Sequence, residues 1–185
     1  MRTSCTGNSV ARAALPLTAS IVLVLALGTP TASASRIAAS ATVAWRVDPL
    51  TITVPASASL GTGAKGASIT ASLGTVTVTD SRGGNPPWTA TVSATDFTSG
   101  IATITKSHVS YWSGPATAQS GGGSRTPGQS SAAQAVALST SATAFSGRKA
   151  AAVTQSTSWQ PTIVVAVPAA AAAGIYTGSI IHSVA

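Results

Sequence analysis

Few residues in this chain could carry out chemistry. Its acids are Asp48, Asp80 and Asp96, with no glutamate; its imidazoles are His108 and His182; its single thiol is Cys5. Catalysis needs acids, bases or nucleophiles held together. Asp80 and Asp96 flank a strand of seven or eight residues, roughly 25 Å of extended chain, too far apart for a carboxylate pair. No Gly-x-Ser-x-Gly segment marks a nucleophilic serine. The two histidines lie far apart and lack metal-ligand spacing. No loop carries two carboxylates, as a calcium site would. The residue inventory therefore points away from an enzyme and from any cofactor or metal.

The aromatic residues suggest binding instead. Four tryptophans are present, Trp45, Trp88, Trp112 and Trp159. Sugar rings stack their apolar faces on indoles while neighbouring polar groups bond the hydroxyls. A sandwich with only two phenylalanines needs large side chains for its core, which is the expected place of Trp45 and Trp159. Trp88 follows Pro86-Pro87 at the mouth of a turn, and Trp112 abuts a long Gly/Ser-rich stretch. Core burial is the default for each of the four, and these two are the ones expected to be partly exposed. Arg82, in the same turn as Trp88, has the planar fork that pairs with phosphate or carboxylate.

The elements that must position these residues read as strands. Val76 and Val78 alternate with Thr75, Thr77 and Thr79; Trp88, Ala90, Val92 and Ala94 alternate with Thr89, Thr91 and Ser93. A period of two with β-branched residues marks half-buried strands. With Ser81–Pro87 between them, residues 73–97 are expected to form one β-hairpin around which the fold is built. A first strand region is expected over 41–54, bent at Asp48-Pro49, then a loop over 55–66 and a short strand over 67–73. Further strands are expected over 101–112, 135–145, 150–159, 161–167 and 175–184. Ile163, Val165 and Val167 oppose Val164 and Ala166, so that strand should be apolar on both faces and central. Residues 147–149 read as a turn. The stretch 113–134, with three consecutive glycines and two prolines, reads as a long disordered loop. The expected fold is an all-β, immunoglobulin-like antiparallel β-sandwich. In such folds a tyrosine near the start of a late strand bonds back to the backbone just upstream, and Tyr176 is the candidate for this tyrosine corner.

The first 34 residues read as a secretory signal peptide. Arg2 and Arg12 precede the apolar run Leu15–Leu27, and Ala32-Ser33-Ala34 is a small-residue cleavage signal. The run has 13 residues, short of the roughly 20 that span a bilayer. The expected organisation is a leader (1–34), a flexible tail (35–40) and one sandwich domain (41–185). No membrane segment is expected after cleavage. The mature chain would have no cysteine and hence no disulfide. Arg2 and Arg12 leave with the leader, so eight of the ten bases and all three acids remain, a net charge of +5. These bases are scattered, with Arg148-Lys149 the one adjacent pair. Nucleic-acid binding would need a clustered basic stripe with stacking aromatics.

Val78-Thr79-Asp80-Ser81-Arg82-Gly83 leads into Trp88-Thr89-Ala90, and Gly174-Ile175-Tyr176-Thr177 leads to His182-Ser183-Val184 near the end. In this pattern the chain resembles the WxL-domain surface proteins of Gram-positive bacteria. That family has an early Trp-x-Leu after an Asp-x-Arg-Gly segment, and a second one on a closing strand that opens with Gly-x-Tyr-Thr. Ala90 stands for the first Leu, and His182 and Val184 stand for the second Trp and Leu. The leader's composition resembles actinobacterial ones, where divergent members are expected. The resemblance implies a secreted protein that holds non-covalently to cell-wall polymer, peptidoglycan or an anionic wall glycan, with His182 joining Arg82, Trp88 and Trp112 as ligand-contact candidates. The alternative expectation is a structural subunit that joins other surface proteins by β-strand addition.

Overall fold

The computed structural model describes residues 3–9 and 50–185. In chain order the strands are β1 (Thr3–Ser9), β2 (Leu50–Thr53), β3 (Ser57–Ser59), β4 (Ser68–Ser72), β5 (Val76–Asp80) and β6 (Pro87–Ala94). Then come β7 (Phe97–Ser99), β8 (Ala102–Ile104), β9 (Val109–Trp112), β10 (Ala116–Ser120) and β11 (Gly123–Pro127). The last are β12 (Val136–Ala137), β13 (Ala142–Lys149), β14 (Gln155–Trp159), β15 (Thr162–Ala166) and β16 (Tyr176–Val184). Two single 3-10 turns, Lys106–His108 and Ala132–Gln134, are the helical pieces among the described residues. The chain is thus an all-β sandwich of antiparallel sheets, as its alternation predicts.

One layer is a sheet in the order β11-β13-β6-β16-β1-β3, with β7 also on β16 and β8 on β7. The other layer holds two four-stranded sheets, β10-β14-β5-β2 and β12-β9-β15-β4. These are one surface broken by a kink. β4 runs into β5 through Gly74 at φ +83°, and β14 runs into β15 through Gln160-Pro161. Proline cannot donate to a ladder, so pairing breaks there, and the Leu73 N–H donates to the Pro161 carbonyl at 2.9 Å across the bend. β15 lies between β9 and β4, central as its apolar run predicts.

The core is where the alternating faces meet. Trp88, Ala90, Val92, Phe145 and Ile180 come from the large sheet; Val76, Val78, Trp159, Ile163 and Tyr111 come from the kinked layer. Phe145 stacks between Trp88 and Trp159, with centroids 6.4 and 4.9 Å away. Each aromatic pair adds about 0.5–1.5 kcal/mol beyond the area it buries.

Four expectations are corrected. Residues 73–97 do contain two strands but not a hairpin: β5 pairs with β14 and β2, whereas β6 pairs with β13 and β16. Residues 81–86 cross the roughly 10 Å between layers, so Val76 and Val78 on one side and Trp88 and Val92 on the other turn to a common core rather than lying side by side in one sheet. The stretch 113–134 is not a structureless loop. β10 pairs with β14 in one layer and β11 with β13 in the other. Arg125 ties this crossing together, donating to the Ser120 and Gly121 carbonyls and, at 3.0 Å, to Thr157 Oγ1. Gly147–Lys149 is not a turn but the end of β13. Within 55–66, expected as loop, β3 forms; of 41–54, only β2 is described. The leader beyond Thr3–Ser9, the 35–40 tail and Trp45 lie outside the described residues.

Candidate functional site

Asp80 closes β5 on an inward position, which the strand's alternation forces on it. A buried carboxylate needs partners, and the crossover supplies them. The Arg82 backbone N–H and Nε each donate to Asp80 Oδ1 at 3.0 Å, and Arg82 Nη2 donates to Oδ2 at 3.0 Å and to the Pro87 carbonyl at 2.9 Å. From the facing layer the fully enclosed Lys149 Nζ lies 3.7 Å from Asp80 Oδ1 and donates to the Arg82 carbonyl. Burial by itself would raise the Asp80 pKa; the Arg82 hydrogen bonds and charge, together with the Lys149 charge, outweigh it and hold the carboxyl below 3.8. This triad fastens the two layers at the crossover. It spends two arms of the Arg82 fork inside the protein, so Arg82 is a fastening residue and not the free anion-binding side chain expected of it. Lys149 is invisible as a site residue in the sequence, since only three-dimensional pairing brings it to Asp80.

Trp88 is also corrected: it is 2% exposed. Its indole nitrogen donates to Gln155 Oε1 at 2.8 Å. It packs over Gly147, its register partner on β13, where a Cβ would lie 2.5 Å from the ring. The prolines before it, read as a sign of exposure, instead end the crossover and set the first inward position of β6.

His182 is buried as well, 2% exposed. Trp159 Nε1 donates to the Tyr111 hydroxyl at 3.4 Å, which lies 3.3 Å from His182 Nε2. Burial pushes the His182 pKa down to about 4 and the Tyr111 pKa up. A neutral imidazole accepting from Tyr111 completes this chain of bonds. Trp159 sits in the core as expected. Tyr176 is buried and its hydroxyl donates to the Ala172 carbonyl at 3.0 Å, which is the geometry of the expected tyrosine corner.

Of the four ligand-contact candidates, Trp112 alone keeps an accessible ring, half-buried on the outward side of β9 and lying against Gly114. The four are not gathered in one place: Arg82 is in the crossover, Trp88 and His182 are in the core, and Trp112 is on the kinked layer. What the fold does gather is a hydroxyl-rich outer face. Thr89, Thr91 and Ser93 on β6 lie beside Ser183 on β16 and beside Thr143 and Ser146 on β13, and Arg148 is exposed next to them. Sequence alternation predicts the outward positions of β6, but not that of Ser146 on β13, where a bulge between Thr143 and Phe145 shifts the register, nor which strands lie together. Among the described residues no group of three His, Cys, Asp or Glu could hold a metal ion. No helix among them is long and apolar enough to cross a membrane. No protein-family model matches the chain, and no curated protein matches it in sequence.

Proposed function

We propose that this chain is an exported, non-catalytic β-sandwich of the cell surface that associates non-covalently with cell-wall polymer, peptidoglycan or an anionic wall glycan. The observation that carries this reading is the convergence of the two segments that resemble WxL domains. They are almost a hundred residues apart in sequence, yet Val184 lies opposite Ala90 and His182 opposite Val92. Thr89 and Ala185 exchange both backbone hydrogen bonds, at 2.9 and 3.1 Å. Trp88, Ala90 and His182 of the motif pair face the core, so the surface they support is the opposite side of the same strands. That outer side carries hydroxyls on strands about 4.8 Å apart, with Ile181 among them, suited to the hydroxyls of an extended glycan rather than to a small molecule in a pocket. Arg148 and a positive net charge add attraction to wall phosphates and carboxylates.

The test is co-sedimentation of the chain beginning at Ser35 with purified peptidoglycan sacculi at low and high salt. Binding at low salt that weakens at high salt is the expected result. A protein that stays in the supernatant under both conditions would end the proposal.

A further inference from the structure

Among the described residues, the outer edge of β16 is covered by Thr3–Ser9. β1 runs parallel to β16, with Thr3 opposite Tyr176 and Ser9 opposite His182, and antiparallel to β3. Its sequence, TSCTGNS, is small and polar, with little to bury. Gly7 falls opposite Ile180, whose side chain is buried. Beside Ile180 is a small recess of about 20 Å³, partly open to solvent and lined by Val54, Pro55, Leu73, Val76 and His182. An apolar recess beside a glycine lacks the side chain that would fill it, and unfilled space forfeits packing contacts.

We propose that this slot is the seat of Ala41–Val47 of the same chain, which takes it when the leader carrying Thr3–Ser9 is removed. The inference rests on the proposed export. The segment ATVAWRV alternates, with Ala41, Val43, Trp45 and Val47 on one side and Thr42, Ala44 and Arg46 on the other. On β16 the inward register is Tyr176, Gly178, Ile180 and His182. Set in place of Thr3–Ser9, the segment brings its large apolar positions to that side, and Trp45 replaces Gly7 opposite Ile180.

Direction and reach agree. β2 begins at Leu50 opposite Asp80, at the crossover end of the sandwich. β16 finishes beside Ala90 at that same end. A strand parallel to β16 would therefore end at Val47 close to the start of β2. The three residue steps from Val47 to Leu50 span about 10 Å, the separation of packed sheets. Pro49 keeps Asp48 extended and suits such a crossing. A strand joined by so short a link also outcompetes the same strand from a second copy through its effective concentration.

Cys5 is the one cysteine, so the chain beginning at Ser35 has none and an engineered pair reports cleanly. Ala44→Cys with Ser179→Cys would lie directly opposite in this register, within disulfide reach. Under mild oxidation the chain from Ser35 is expected to form an intrachain disulfide, at least about tenfold faster than the out-of-register pair Ala44→Cys with Thr177→Cys. In the full chain carrying Cys5→Ser, Thr3–Ser9 holds the slot and the cross-link should be suppressed. Disulfide-linked dimers would assign the slot to a second copy and overturn the proposal. So would equal cross-linking in the full chain, or none in the folded chain from Ser35. Amide exchange on unsubstituted protein is the second measurement. Protection of residues 177–183 should persist when the chain begins at Ser35 and fall when it begins at Asp48; equal protection overturns the proposal. Mass measurement of protein recovered outside the cell is separate: a retained leader ends the export reading without deciding where Ala41–Val47 can pair.

Discussion

The Trp88 indole donates to Gln155 Oε1 at 2.8 Å, across the two layers and away from water. The Gln155 amide in turn donates to the Gly122 and Arg148 carbonyls at 3.0 and 3.2 Å. One glutamine thus links β6, β13 and the turn between β10 and β11. Trp88→Phe keeps the ring's bulk but leaves the glutamine oxygen unbonded, and should cost about 1–3 kcal/mol. Trp88→Ala should cost about 3–5 kcal/mol. Urea denaturation measures both, and a Phe variant as stable as the parent would deny the hydrogen bond any weight.

Gly147 is held to glycine by the same indole. A Cβ there would sit 2.5 Å from the Trp88 ring, which is buried and cannot swing away. Gly147→Ala should therefore destabilise the fold by about 1–3 kcal/mol and disturb the near-ultraviolet circular dichroism of the tryptophans. An alanine variant with parental stability and spectrum would mean that the ring has room to move.

At the crossover, Asp80 neutralises two cations, Arg82 within the crossing and Lys149 from the facing layer. Removing its charge with Asp80→Asn leaves Lys149 buried without a counter-ion and should cost about 3–5 kcal/mol. The Asp80 pKa is lowered in the folded state, so its contribution is present above 3.8 and is lost as pH falls through the folded value. Acid titration should show the parent losing stability below pH 3.8 more steeply than the asparagine variant. Parallel curves would assign that loss to other groups.

Strand alternation made most of this architecture legible, because the inward positions of β5, β6, β15 and β16 follow directly from a period of two. Which strands pair was not legible. The alternation of Val76/Val78 and of Trp88/Val92 is the same whether the strands lie side by side or face each other, and the pairing is decided by partners such as β13 and β14, far away in sequence. The Gly/Ser composition of 113–134 concealed two edge strands, since edge strands bury little and need few apolar residues; Arg125 supplies the stabilisation that apolar burial does not. Exposure was misjudged at Trp88 because Pro86-Pro87 mark a chain reversal without telling which side of the next strand faces the core.

Among the tryptophans described, Trp112 has a half-buried ring on an outer face, whereas Trp88 and Trp159 are sealed in the core. Trp112 lies on the layer opposite the hydroxyl face, so Trp112→Ala should leave co-sedimentation with sacculi at the parental level, and acrylamide quenching of the parent's fluorescence should be the same with and without wall fragments. Loss of binding in Trp112→Ala would move the contact from the hydroxyl face around Thr89 and Arg148 to this ring.

His182 makes stability depend on pH in a separate window. In the unfolded chain its imidazole takes a proton below about 6.5; in the fold, burial lowers its pKa to about 4. Between those values the unfolded state binds more protons, so stability is full above pH 6.5 and falls as pH drops toward 4, then levels off. A single group with this shift accounts for a loss of about 3 kcal/mol across the window. The protonated ring would have to give up accepting from the Tyr111 hydroxyl, its hydrogen-bonded neighbour at 3.3 Å. His182→Gln should flatten the pH profile of urea denaturation between 6.5 and 4 while leaving the steeper loss below 3.8 in place, because Asp80 is untouched. A glutamine variant with the parental slope in the upper window would show that His182 does not set it.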